Sequence, residues 1–174
     1  MEINIRPGIE TDCDSIMGLI KELAIYEGML DQVKIDSTDL KRDAFHTSPP
    51  ALRILVAELT APKESAGSES DKIIVGYALY YQTYSGWKGK ALHLEDLFVQ
   101  PQYRFKGVGE KLLGKLAQIA LEGDFARVSF ECIDWNDLAM KFYRKHGAED
   151  VTVKEHWHSY RFSNEAMKKL ALEN

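Results

Sequence analysis

The chain has 174 residues, 45% hydrophobic and 28% charged, which excludes a disordered chain. No apolar run approaches the roughly 18 residues that span a bilayer, so no membrane association is expected. Lys plus Arg is 22 and Asp plus Glu is 27, a net charge of −5. That balance argues against nonspecific nucleic-acid binding and is compatible with a cationic small ligand.

Ile3 and Ile5 alternate with polar neighbours in a short strand ended by Pro7. Thr11 or Asp12 can cap a helix in which Ile16, Leu19, Ile20, Leu23 and Ala24 share one face, and Tyr26-Glu27-Gly28 ends it. A second helix is expected from Ser37 or Thr38 to about Phe45, broken by Ser48-Pro49-Pro50. Leu52 to Leu59 reads as a strand, and the Ser-, Glu- and Gly-rich stretch from Thr60 to Lys72 as an exposed hairpin loop. Ile73 to Tyr84 and Leu92 to Val99 read as strands. Val108 to Leu121 is helical, with Leu112, Leu113, Leu116 and Ala120 on one face. A strand over Arg127 to Ile133, a helix over Asp137 to Lys145 with Gly147 beyond its end, a strand over His156 to Phe162 and a helix capped by Ser163 complete the chain. This order suggests an α/β fold in which one mixed sheet carries helices on both faces. The length suits a single domain over residues 1–174, and no secretory or transit segment is recognised at Met1. Cys13 and Cys132 are too few for a disulfide framework or zinc site; they read as unpaired thiols in a reducing cytosol, at a helix entry and in a strand.

Three groups of residues can carry chemistry. Val99 to Gly109 joins a strand to an amphipathic helix with Arg104, Lys106, Gly107 and Gly109 at the turn. Backbone N–H groups at such a helix start form an anion site; the competing reading is a tight turn whose glycines serve packing. It is neither a Walker loop nor a Rossmann fingerprint. Tyr143 lies seven residues beyond Asn136, about two helical turns. Its hydroxyl can donate a proton to a leaving group, although Phe142-Tyr143 also suits core packing. Glu95-Asp96 interrupts an otherwise apolar strand, where alternation lets at most one of the two face a given cleft. Attraction of an alkylammonium group and acceptance of its proton competes here with an ordinary ion-paired strand position. The histidines, His46, His93, His146, His156 and His158, show no ligand spacing, and His156-x-His158 alone makes no metal site.

Arg104-x-x-Gly107-x-Gly109 at a strand–helix turn resembles the acetyl-CoA pyrophosphate signature of the GNAT N-acetyltransferases, and Asn136 and Tyr143 are similar to that superfamily's second cofactor segment. Within it, Leu19 to Ala24, Tyr26-Glu27, Tyr80-Tyr81, Trp87-x-Gly89, Leu94-Glu95-Asp96, Tyr103-Arg104 and Phe142-Tyr143 resemble the spermidine/spermine (diamine) N-acetyltransferases. Trp87-Lys88-Gly89-Lys90 and Asp134-Trp135-Asn136 resemble the related thialysine acetyltransferase branch at least as well. The similarity runs over essentially the whole chain.

The resemblance implies a GNAT fold with a twisted, splayed sheet. It implies acetyl transfer from acetyl-CoA, without a metal, to a primary amine of a small diamine or polyamine, by direct attack in a ternary complex. The alternatives are a thialysine, amino-acid side-chain or protein-lysine acetyltransferase, or a non-catalytic acyl-CoA-binding module. Leu97, Phe98 and Val99 would meet the pantetheine arm. Arg104, Phe105, Lys106, Gly107, Val108, Gly109 and Glu110 would cradle the pyrophosphate, and Asn136 would bond the cofactor. Tyr143 would protonate the departing thiolate, and Glu95 would take the amine's proton. Tyr26, Glu27, Glu95, Asp96, Glu131, Glu155 and Trp157 would line the amine channel. Relatives carry glycine at the positions of Phe105 and His156, and an apolar residue at that of Glu131. An α-carboxylate, as in thialysine, would need Lys88, Lys90 or Arg161 turned inward. A cytoplasmic homodimer is also implied.

Overall fold

The computed structural model describes residues 2–60, 72–152, 154–156 and 158–172. The chain forms two compact units, Met1–Glu131 and Cys132–Asn174.

The first unit holds a five-stranded mixed sheet in the order β1-β2-β3-β4-β5, with β1 Glu2–Pro7, β2 Arg53–Thr60, β3 Lys72–Ser85, β4 Gly89–Val99 and β5 Val128–Ser129. The first four strands pair antiparallel and β5 runs parallel to β4. Three helices accompany it: α1 Cys13–Tyr26, α2 Ser37–Lys41 and α3 Val108–Glu122. Six consecutive residues of β2, Ile54 to Leu59, are buried, so both faces of the sheet are covered there. Ile54 and Val56 join Tyr77, Leu79 and Phe98 in a core under Cys13, Ile16 and Leu19 of α1 and Leu40 of α2. Strand alternation turns Leu55 and Ala57 to the opposite face. α3 packs on β1 to β4 and buries Val108, Leu112, Leu116 and Ala120. Each large aliphatic side chain fully buried in these layers contributes about 1.5–3 kcal/mol.

Several expectations are corrected. Asp12 stands at the N-terminus of α1 without capping it by its side chain. Its carboxylate instead accepts from the Arg6 guanidinium at 2.6 and 3.0 Å and from the Ile9 N–H at 2.9 Å, because a half-buried guanidinium is the stronger partner. The second helix is α-helical only over Ser37–Lys41, started by Asp36, and Arg42–His46 forms a wider π turn before the prolines. The loop expected from Thr60 to Lys72 lies, over 61–71, outside the described residues.

β5 is two residues long rather than seven: it pairs only through Leu92↔Val128 and His93↔Ser129. Two residues further on, β4 carries an extra residue, because Leu79 pairs with Asp96 and Tyr80 with Leu94. A bulge at Glu95 interrupts the ladder to β3, which resumes at Asp96, while the ladder to β5 stops at His93, and β4 and β5 part there. Cys132 therefore lies beyond the strand, and neither Cys13 nor Cys132 forms a disulfide.

The second unit holds α4 Asp137–Lys145 and α5 Asn164–Leu172. Gly147 has φ 88°, as expected beyond a helix end, and Ser163 Oγ accepts from the Ala166 N–H at 3.2 Å. The strand expected over His156 to Phe162 is absent among its described residues. His156 takes φ 53°, outside the β region, and an alternating pattern becomes a strand only when a ladder accepts it.

Candidate active site

The bulge decides the site's chemistry. On a regular strand Glu95 and Asp96 would point to opposite faces; with one residue inserted, both reach tyrosines of one face of β3. The Tyr77 hydroxyl donates to Asp96 Oδ2 at 3.0 Å, and the Tyr81 hydroxyl donates to Glu95 Oε2 at 3.2 Å. The expectation that only one carboxylate can face a cleft is thus corrected, the reason being the altered alternation at a bulge.

Burial pushes the Asp96 carboxyl up to about 6; the Tyr77 hydrogen bond opposes this, and the charges of Glu95 and Glu27 add to it. Glu27, just past the end of α1, is also raised by burial. The Tyr77 phenol is driven well above its ordinary range by burial, then by Asp96. Tyr81 is raised by burial, then by the charges of Glu95 and Glu131. Glu131 belongs to the same constellation: its Oε2 lies 3.2 Å from His93 Nε2, and that nitrogen is 3.6 Å from Glu95 Oε2. Sequence reasoning missed His93, Tyr77 and Tyr81 as site residues. The signal for His93 was the spacing His93-x-Glu95, which puts both side chains on one strand face.

The strand–helix turn opens α3. Gly107 caps α3 at φ 78° with no side-chain hydrogen bond, so the first N–H groups of a 15-residue helix are presented with their positive dipole end. Phe105 has φ 59° and is 88% exposed; a position that suits glycine carries an aromatic ring here. Glu110 reaches back, its Oε2 3.5 Å from where a Gly107 Cβ would stand. Lys106 Nζ donates to the Gln102 carbonyl at 2.9 Å. Arg104 has a local structural role: its Nε donates to the Val99 carbonyl at 2.8 Å, and its guanidinium lies over the rings of Tyr26 at 5.3 Å and Phe98 at 5.5 Å.

Beside this turn, Leu97, Phe98 and Val99 pair on one side with Ala78, Tyr77 and Gly76. The described ladder to β5 stops at His93, so backbone groups of β4 beyond it are presented on the β5 side. Gly76 lets the strands approach: a Cβ there would come within 2.7 Å of the Phe98 carbonyl oxygen.

In the second unit, Asn136 caps α4, its Oδ1 accepting from the Ala139 N–H at 3.2 Å. Tyr143 lies on α4 with its ring 5.3 Å from that of Phe142. Glu155 is exposed, its N–H donating to the Val151 carbonyl at 3.0 Å. Trp157 lies outside the described residues.

Residues 28–148 match the Acetyltransferase (GNAT) family. The chain belongs to the GNAT acetyltransferase family. It is 45% identical to a thialysine N-epsilon-acetyltransferase from Bos taurus over 97% of each chain. It is 38% identical to spermidine/spermine N(1)-acetyltransferase-like protein 1 from Homo sapiens, over 97% of this chain and 24% of that protein. Among solved structures, an integron cassette protein from the mobile metagenome of V. cholerae superimposes with a TM-score of 0.73 at 24% identity, covering 98% of each chain. That likeness concerns the fold. This GNAT chain is an acetyltransferase, and its family uses acetyl-CoA. The turn and the opened edge of β4 fit such a cosubstrate, with N–H groups for a pyrophosphate and strand backbone for an amide-bearing arm. Among the described residues no group of three or more His, Cys, Asp or Glu side chains is arranged to hold a metal ion, and no helix is long and apolar enough to cross a membrane.

Proposed function

We propose that this GNAT enzyme acetylates the side-chain primary amine of a thialysine-like amino acid, with compact diamines and polyamines as the second reading. The acidic constellation at the β4 bulge carries the proposal that the acceptor is an alkylammonium group: Glu27, Glu95 and Asp96, with Glu131 joined through His93. End-to-end similarity to thialysine acetyltransferases favours the amino-acid substrate over the diamine expected from the sequence. One observation favours the second reading. Lys90, a cation that would balance an α-carboxylate, is instead held by the Gly123 carbonyl at 2.7 Å and lies over the Phe125 ring at 5.2 Å. The match across residues 28–148 spans both units, which supports treating residues 1–174 as one catalytic domain.

Acetyl-CoA supplies the activated acyl group. The residues 104–110 would hold its pyrophosphate through backbone N–H groups, and Leu97 to Val99 its arm. An alkylamine is mostly ammonium at neutral pH, with a pKa of about 10.4, so it must be deprotonated before its nitrogen can attack. Glu95 takes that proton, directly or through water, while Asp96 and Glu27 hold the ammonium in place. Tyr143 keeps the role that the resemblance gives it, proton donor to the thiolate, and Asn136 that of a cofactor ligand. Tyr26, Glu155 and Trp157 are proposed as further channel residues. The homodimer and the cytoplasmic location implied by the resemblance are proposals of the same standing; light scattering tests the first and cell fractionation the second.

The test is kcat/KM for thialysine, lysine, 1,3-diaminopropane, putrescine, spermidine and spermine under one buffer. Thialysine ahead of every diamine and polyamine by tenfold, about 1.4 kcal/mol of transition-state preference, is the expected result. A polyamine ahead by that factor overturns the substrate and leaves the acetyl transfer standing.

A further inference from the structure

We propose that His93 is a positioning residue for the transferred proton: it draws the proton off Glu95 and passes it to Glu131, which releases it to water. The proposal rests on the reading that Glu95 deprotonates the amine.

The stoichiometry requires an exit. An ammonium group brings three hydrogens on nitrogen. As the C–N bond forms and the C–S bond breaks, the amide product keeps one and the thiol product takes one. The third must leave the site in every turnover, or Glu95 stays protonated and cannot act again.

The geometry supplies a route. His93 Nε2 lies 3.6 Å from Glu95 and 3.2 Å from Glu131, so a single ring nitrogen stands within ion-pair distance of both carboxylates. The Glu95 side chain is 57% exposed, that of His93 14% and that of Glu131 84%, so the route runs from Glu95 through a half-buried imidazole to an open carboxylate. Tyr81 fixes the arrangement, its ring 5.0 Å from the imidazole while its hydroxyl donates to Glu95. Among the described residues, Tyr81 from β3, Glu95 from its own strand and Glu131 from beyond β5 face His93. Asp96 and Glu27 are linked to them electrostatically through Glu95 and Asp96. Protonated Glu95 gives its proton to Nε2 of a neutral imidazole whose hydrogen is on Nδ1. The imidazolium then yields the Nε2 proton to Glu131, and water takes it. Histidine is the side chain suited to such a carrier near neutral pH. Substrate and cosubstrate seated over Glu95 would close its direct path to solvent and leave this lateral one.

The experiment compares His93→Gln, Glu131→Gln and Glu95→Gln over a pH series, with each variant's fold checked by circular dichroism. His93→Gln is expected to lower kcat by about tenfold or more, with the KM for acetyl-CoA within about twofold of wild type, to alter the acid limb of the pH profile, and to regain activity when imidazole is added. Glu131→Gln, at an exposed position, is expected to lower kcat severalfold while leaving the fold intact. Adding His93→Gln to Glu95→Gln should cost nothing further. Wild-type kcat and pH profile in both His93→Gln and Glu131→Gln, with Glu95→Gln slow, would overturn the relay alone. A wild-type rate in Glu95→Gln would overturn the base assignment beneath it.

Discussion

The hydroxyl of Tyr77, buried at the centre of the sheet, donates to the carboxylate of Asp96 at 3.0 Å. Burial nevertheless holds Asp96 at about 6, above its ordinary 3.8. A carboxyl raised in the folded state favours folding in acid, and that stability is lost as pH climbs from about 3.8 to about 6. Asp96→Asn keeps an acceptor for Tyr77 and removes the charge. The variant should be the more stable protein at pH 8, by up to about 3 kcal/mol, and lose that advantage near pH 4. Thermal melts at the two pH values check this; an equal difference at both would mean the Asp96 charge is not what burial penalises.

The Arg6 guanidinium bridges two buried carboxylates, Asp12 at 2.6 Å and Glu58 at 2.8 Å. Its hydrogen bond, working against burial, holds the Glu58 carboxyl below its ordinary 4.5. Such a lowered carboxyl stabilises the fold above 4.5, and the contribution is lost as pH falls through the folded-state value. Arg6→Met leaves Glu58 only Lys72, 3.1 Å away, and Asp12 only the Ile9 N–H, and should cost about 3 kcal/mol at pH 7. The deficit should shrink below about pH 4, as the two carboxylates protonate. Melts of both proteins across that range decide it, and a deficit independent of pH would make the triad mere packing.

Gly107 at φ 78° allows the turn into α3. Gly107→Ala should cost about 1–2 kcal/mol of stability through the left-handed backbone alone. If the turn holds a pyrophosphate, the rise in Tm produced by saturating acetyl-CoA should also be smaller in the variant than in wild type. An undiminished rise would move the cosubstrate elsewhere.

Tyr143→Phe preserves the ring beside Phe142 and removes only the hydroxyl. A general acid lost this way should lower kcat by roughly 10²-fold with little change in the KM for acetyl-CoA. Turnover within twofold of wild type would return Tyr143 to packing.

The sequence by itself determined the helices and the long strands. Ile16, Leu19 and Ala24 repeat at helical spacing, and so do Leu112, Leu116 and Ala120; these periods dictate which face is buried wherever the helix docks. It also carried the glycine turn and the carboxylates, because their chemistry belongs to residue type and near spacing. Three features waited for the tertiary structure. The alternation of Glu95 and Asp96 depends on β4 holding one residue more than β3 opposite it, a property of the pair of strands. The length of β5 depends on how far β4 accepts a parallel partner, which its alternating stretch from Val128 does not encode. The meeting of His93 with Glu131 depends on the crossover through α3, which brings together residues far apart in the chain. Local periodicity fixes what a segment prefers to be; register and contact between distant segments arise only when the sheet closes, and the chemistry of this site was decided there.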